Sequence, residues 1–246
     1  MQYRALFRFY AELNDFLPDK KKHLHFQYAF NGTPAIKDAI EALGIPHTEV
    51  ALILVNGKQA DFSYHLQHED QVSVYPVFTS LDISSVTTIP KQPLPDVKFI
   101  CDVHLGKLAR HLRMLGLDTL YQNDYTDKLI VRLALEENRC ILTKDMAILK
   151  NKSVIHGCFI RSNQTIEQVR ELMNRLDLSS SIHPFSRCLK CNGLIVSTEK
   201  ASISDHLKPK TKQYYHEFFR CQNCNGVYWK GSHYQKMMNS IEHYRK

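Results

Sequence analysis

The chain has 246 residues, of which 43% are hydrophobic and 23% charged, a balance that builds ordinary packed cores and excludes wholesale disorder or a collagen-like repeat. At ~100–200 residues per domain, that length allows one large domain or two to three small ones. The net charge of +7 is uneven: residues 1–96 carry −3, residues 97–180 carry +3 and residues 181–246 carry +7, a distribution that fits either a polyanion partner at the C-terminal end or a solvated charged surface, and charge alone does not separate the two.

No run approaches the ~20 apolar residues that span a bilayer, so no membrane partner is expected. The opening MQYRALFRFYAELNDF lacks the basic-then-apolar plan of a secretory signal, and a cytoplasmic location is expected. Of seven cysteines, four form two C-x-x-C pairs, and Cys101, Cys140 and Cys158 sit singly in apolar segments. That usage fits metal binding and buried thiols better than disulfides.

The expected fold class is α/β in three modules: a β-grasp domain at 1–79, a linker at 80–96, a parallel-sheet domain at 97–182 and a Cys₄ zinc ribbon at 183–246. The first module reads β-β-α-β-β. ALFRF and HLHFQY alternate as strands, Thr33-Pro34 offers a helix start, Ile36, Ala39, Ile40 and Leu43 follow at helical spacing, and Gly44 ends the helix. ALILV is an apolar strand, Asn56-Gly57 a tight turn and QVSVYPVF a last strand. The stretch from GTPAIKDAIEALGIP to QVSVYPVF resembles ubiquitin-like proteins of the sulfur-carrier kind. That resemblance implies a Gly-Gly tail, but here Pro76-Val77-Phe78 runs on. A module that positions substrate or binds a protein partner is therefore expected. Residues 80–95 hold three Pro, three Ser and two Thr without helical periodicity, which reads as the linker.

The middle module alternates strands and helices, the signature of a parallel sheet. VKFIC is a strand buried on both faces. Leu105, Leu108, Ala109, Leu112 and Leu115 then form one helical stripe that Gly116 ends. LDTLYQ, RCILT and GCFIR are further strands. Helices are expected from Thr126 to about Asn138, over DMAILK, and over Gln164–Leu176.

Ligands of open α/β sheets bind beyond the carboxyl ends of the strands. Asp102 follows VKFIC, Asp124 and Asp127 follow LDTLYQ, and Asp145 follows RCILTK. Convergent carboxylates make a hard oxygen site that suits Mg²⁺ or Mn²⁺, ions that activate water and steady the oxygens of phosphodiester cleavage. The competing reading is that Asp124, Asp127 and Asp145 simply cap helices. Beside the acids, Lys107, Arg110 and Lys144 are placed to hold a phosphodiester backbone and His104 to touch substrate. Arg113 and Lys150 read as ordinary surface charges.

Cys188-x-x-Cys191 and Cys221-x-x-Cys224, separated by 29 residues, have the spacing of a tetrahedral structural zinc site. The two knuckles echo each other as R-C-x-x-C-N-G, and Gly193 and Gly226 are expected to supply turns of positive φ. Lysines and aromatics interleave around them, a pattern that suits single-stranded RNA. Phe218 and Phe219 are expected in the ribbon's core, whereas Trp229 serves either core or substrate.

FICDVHLGKLARHLRMLGLDTLY, NDYTDKLIVRLALEENRCILTKD, SIHPFSRCLKCNGL and CQNCNGVYWKGSH resemble the PIN-like ribonucleases related to the C-terminal domain of the Mut-seven exonuclease. The match spans nearly the whole chain, including the N-terminal ubiquitin-like domain and the ribbon. It implies a metal-dependent ribonuclease with Asp102 and Asp145 as acids and with Asp124 or Asp127 between them. Glu136 and Glu137 do not fill the helix-borne acid position of such enzymes, and Asn163 stands where some relatives carry a carboxylate. The expected function is an RNA endonuclease with catalytic Mg²⁺ or Mn²⁺ and structural Zn²⁺. The alternative is a non-catalytic RNA- or ribosome-binding adaptor.

Overall fold

The structure is a computed structural model that describes residues 2–76, 87–89, 97–176 and 178–244. Residues 2–76 contain β1 (Gln2–Phe9), β2 (Phe26–Asn31), α1 (Ile36–Ala42), β3 (Val50–Val55), β4 (Lys58–Ala60) and β5 (Gln71–Pro76). They form a sheet of order β2-β1-β5-β3-β4, in which β1 and β5 run parallel and the other neighbours antiparallel. This is the β-grasp arrangement. The period-2 alternation of β1 sends Ala5, Phe7 and Phe9 into the core with Ile36 and Ile40 of α1 and Val74 of β5. Asn56 and Gly57, at φ 51° and 76°, make the tight turn from β3 to β4.

Two boundaries differ from expectation. The helix begins at Ile36 and not at Thr33-Pro34, because Ala35 stays extended and bridges His65. The first amide of α1, Ile36 N–H, donates to the Tyr64 carbonyl at 2.7 Å, so a tertiary contact replaces the side-chain cap. Strand β2 lies later than HLHFQY, since its register with β1 runs from Gln2↔Asn31 to Phe7↔Phe26. The linker expected at 80–96 lies outside the described residues apart from 87–89. There Thr87 Oγ1 donates to the Ala51 carbonyl at 2.6 Å and Ile89 is buried in the β-grasp core.

Next come β6 (Lys98–Cys101), α2 (Gly106–Met114), β7 (Asp118–Leu120), α3 (Asp127–Glu136), β8 (Cys140–Thr143), α4 (Met146–Leu149), β9 (Gly157–Phe159) and α5 (Thr165–Leu176). β6 pairs with β7 in parallel, and β8 with β9 in parallel, as strand–helix–strand units require. The stripe on α2 is as expected: Leu105, Leu108, Ala109, Leu112 and Leu115 are all buried. The turn after α2 admits only glycine, because a Cβ on Gly116 (φ +88°) would lie 2.0 Å from the His183 carbonyl oxygen.

The C-terminal part holds β10 (Ile195–Thr198), α6 (Lys200–Ile203), α7 (Pro209–Tyr214), β11 (Phe218–Cys221), β12 (Val227–Trp229) and α8 (Ser232–Tyr244). The three strands pair antiparallel in the order β10-β11-β12. No helix of the described residues is long and apolar enough to cross a membrane.

The described residues form two compact units, one of residues 2–76, 87–89 and 127–159, the other of residues 97–126, 160–176 and 178–244. In the first, the β-grasp domain grips β9 and the loop before it through polar groups. His47 bonds the Val154 carbonyl at 2.9 Å and Glu41 at 2.6 Å, and the buried Glu49 accepts the Phe159 amide at 2.8 Å. Phe16 meets Phe159 edge-on at 5.2 Å. In the second unit, α2, β7 and α5 pack with one another, with residues 189–192 and with α8. Arg170 of α5 donates to the His243 carbonyl at 3.0 Å, and His111 of α2 hydrogen-bonds Tyr244.

Candidate metal centre and nucleic-acid interface

The sulfurs of Cys188, Cys191, Cys221 and Cys224 all lie within 4.8 Å of one another. Cys188 and Cys224 are 3.6 Å apart and Cys191 and Cys221 3.4 Å. Metal–sulfur bonds of about 2.3 Å in a tetrahedron set sulfurs about 3.8 Å apart, so the quartet is close to the spacing one zinc ion demands. The sequence echo is also a structural one. Cys188 N–H donates to the Gly193 carbonyl and Asn192 N–H to the Cys188 carbonyl, and Cys221, Gly226 and Asn225 repeat that pattern. The positive φ falls on Asn192 (68°) and Asn225 (57°), not on Gly193 and Gly226 as expected. Asn tolerates the left-handed region. Gly193 is instead required for space, since a Cβ there would come within 2.9 Å of the Cys221 sulfur.

Burial pushes the Cys188 thiol up, but the Tyr228 hydroxyl, donating at 2.9 Å, and the amides of Cys191 and Lys190 outweigh it and bring it down to about 6. Cys191 is pushed up to about 12 by burial and then by its neighbouring sulfurs. Crowded sulfurs cannot all ionise without a cation between them. The donor set fits zinc.

The acids sit where strands end. Asp102 follows β6, is buried, and accepts the His104 amide through Oδ1 at 2.8 Å. Asp145 accepts the Ala147 amide at 2.7 Å as the cap of α4, and its own amide donates to Thr143 Oγ1 at 2.8 Å. Asp127 opens α3 and Asp124 lies in the turn before it, both exposed. Asp102 and Asp124 belong to the second unit, Asp127 and Asp145 to the first. At the exposed Asp145, capping occupies one acceptor site of a carboxylate that has about four, and carboxylate oxygens are hard donors of the kind that suits Mg²⁺ or Mn²⁺. Glu136 pairs with Arg132 at 3.9 Å and Glu137 with Arg139 at 2.7 Å.

His104 is exposed in the turn before α2, Lys107 and Arg110 are exposed on the polar side of α2, Lys144 is half-buried beside Asp145, and Trp229 is 38% exposed at the end of β12. Phe218 is buried as expected, while Phe219 is half-buried. His104 and Lys107 line a cavity of about 450 Å³ with Tyr121, Asn163 and Gln168.

Two family models match the chain: the Mut7-C RNAse domain over residues 97–241 and Mut7-C ubiquitin over residues 2–82. The chain belongs to the Mut7-C RNase domain family. No curated protein and no solved structure matches it.

The Mut7-C RNase match takes in the four cysteines as well as Asp102 and Asp145, and the second unit shows how the thiolate centre is built into it. Arg113, expected as a surface charge, is 4% exposed. Its guanidinium donates to the carbonyls of Thr119 (2.8 Å), Lys190 (3.1 Å), Leu189 (3.3 Å) and Tyr121 (3.4 Å). Asn192 accepts the Thr119 amide at 3.0 Å and donates to Asp118 at 2.8 Å, and Arg187 pairs with Asp118 at 3.1 Å. The first knuckle is thereby tied to β7 and α2. Arg113→Ala should lower stability by about 3 kcal/mol, because buried carbonyls lose a charged donor. Arg110→Ala, one turn away and exposed, should change it by at most about 0.5 kcal/mol. Urea midpoints of the two variants check this, and equal midpoints would contradict it.

Tyr228 and Asn192 are the other residues that the sequence does not place at the thiolate centre. Their signal was their place beside a C-x-x-C pair: Asn192 directly follows Cys191, and Tyr228 is four residues past Cys224.

Proposed function

We propose that this protein is a metal-dependent ribonuclease that cuts RNA internally during processing or decay. The observation that carries the reading is the Mut7-C RNAse match over residues 97–241, within which acids follow β6 and β8. In this reading Asp102, Asp145 and one of Asp124 or Asp127 hold Mg²⁺ or Mn²⁺. When bound, such an ion neutralises phosphate charge and activates water. Asp102 is held at its strand end by the bond from the His104 amide, and Asp145 by the bond from the Ala147 amide. That pins both carboxylates without moving them on substrate entry. Lys107, Arg110 and Lys144 neutralise backbone phosphates, and His104 borders the scissile group.

The three modules are the β-grasp domain at 1–79, the nuclease domain at 97–182 and the ribbon at 183–246, with 80–96 as connector. The quartet binds structural zinc, the ribbon grips RNA, and the β-grasp domain selects substrate or a protein partner. Seven cysteines outside any disulfide fit a reducing, cytoplasmic setting.

The rival reading, a non-catalytic RNA- or ribosome-binding adaptor, draws on the capping bonds of Asp102 and Asp145. Incubating zinc-loaded protein with mixed RNA separates the two. Cleavage that starts when Mn²⁺ is added and stops when it is dialysed away supports the nuclease. Tight binding with no products at any Mn²⁺ concentration supports the adaptor.

A further inference from the structure

A cleft of about 780 Å³ opens in the second unit between α2, the ribbon and α8. That size lies within the roughly 300–1,000 Å³ of small-molecule sites. Its walls divide by chemistry. Lys107 and Arg110 of α2 and Lys236 of α8 bring three permanent cations, and no lining residue among those described is acidic. The facing wall carries Tyr215 and Trp229, whose ring centroids are 6.3 Å apart and tilted by 49°, so the two rings do not stack on each other. The Trp229 indole packs down on Gly231, where a Cβ would come within 2.9 Å of Nε1.

A tryptophan left 38% exposed, lining a cleft whose described residues carry positive but no negative formal charge, fits neither core packing nor an ordinary solvated surface. It has the two features that unpaired nucleic acid requires, cations for the backbone and aromatic faces for the base. We propose that this cleft is a nucleotide subsite for single-stranded RNA. The base lies against Trp229 and Tyr215, and the adjoining phosphates meet Lys107, Arg110 and Lys236. A base within a duplex offers no free face to such a wall, so the site discriminates against paired RNA. Lys107 lines both this cleft and the smaller cavity around His104 and Asn163. A strand held on the ribbon therefore passes Lys107 on its way to the end of β6, where Asp102 stands. The assignment of RNA as the polymer rests on the ribonuclease reading; the stacking wall and the cations are independent of it.

Trp229 is the single tryptophan of the chain, so intrinsic fluorescence reports directly on the cleft. The zinc-loaded full chain, without Mg²⁺ or Mn²⁺, is titrated with a short single-stranded oligouridylate, with the same length of RNA duplex, and with oligoglutamate. The single strand should quench Trp229 saturably, and the duplex should bind at least roughly 10-fold more weakly. Tyr215→Ala should weaken the single strand roughly 10-fold. Arg110→Gln, at an exposed position that leaves the fold intact, should reduce the slope of log affinity against log salt by about 1. Absence of quenching, equal quenching by oligoglutamate, or unchanged affinity and salt slope in well-folded Tyr215→Ala and Arg110→Gln proteins would overturn the subsite. Addition of Mn²⁺ to the same samples separates the two readings. Quenching without cleavage removes the nuclease and keeps the subsite, while cleavage without quenching removes the subsite alone.

Discussion

Cys188→Ser is expected to unfold the ribbon and to loosen the unit around it. Cys188 is fully buried, accepts from Tyr228 at 2.9 Å and faces Cys224 at 3.6 Å. A serine oxygen is a poorer zinc ligand, and structural zinc contributes on the order of 10 kcal/mol to the folding of small zinc modules, as much as the whole stability of many domains. The damage should not stop at the knuckle. Leu189, Lys190 and Asn192 hold Arg113, Thr119 and Asp118 of the same unit, so β7 and α2 lose partners when the first knuckle frays. The expected result is one zinc per chain in the wild type, less than half of that in Cys188→Ser, and a thermal midpoint at least about 10 °C lower. Zinc chelation of the wild type should reproduce the drop. Cys140→Ala, at a buried thiol of the other unit, should leave zinc content unchanged. A Cys188→Ser protein with normal zinc content and an unshifted midpoint would contradict the assignment.

The second large effect is expected at the acids. Asp102→Asn and Asp145→Asn should each lower Mn²⁺-dependent RNA cleavage on the order of 1,000-fold, since a metal ion supplies several kcal/mol of transition-state stabilisation and each 1.36 kcal/mol is tenfold. The choice of Asn makes the result decisive. Asn is as good a cap as Asp, so its side-chain oxygen still accepts the His104 or Ala147 amide, and stability should change by less than about 1 kcal/mol. If the carboxylates served only as caps, Asn would leave both turnover and stability untouched, whereas Ala would cost about 1 kcal/mol of stability. Parallel rate and denaturation measurements on the Asn and Ala variants distinguish these outcomes.

Much of this was legible locally. The leucine stripe of α2 and the paired C-x-x-C knuckles are short-range patterns, and both were read at the right residues. What the sequence hid was set by distant partners. Arg113 lies three residues from Arg110 on the same helix and looks alike in sequence, yet it is buried because carbonyls from residues 189 and 190 come to meet it. Glu49 and His47 give no local sign of burial; their partners at Phe159 and Val154 are more than a hundred residues away in the chain. The start of α1 moved because the Tyr64 carbonyl, not a side chain of the helix's own segment, takes its first amide. At the knuckles the glycines are not the turn residues: the backbone turn belongs to Asn192 and Asn225, and at Gly193 the Asn223 side chain and the Cys221 sulfur leave no room for a Cβ. The α8 wall of the basic cleft was equally hidden, since Lys236 joins Lys107 only through tertiary packing.

In the proposed nuclease, Asp102 and Asp145 serve one divalent ion. Crystals of the zinc-loaded chain soaked in Mn²⁺ decide this through anomalous scattering collected at the manganese edge. The claim predicts a manganese peak shared by carboxylate oxygens of Asp102 and Asp145 at about 2.2 Å, lost in Asp145→Asn crystals. Manganese bound by neither carboxylate, or by each on a separate ion, would contradict it.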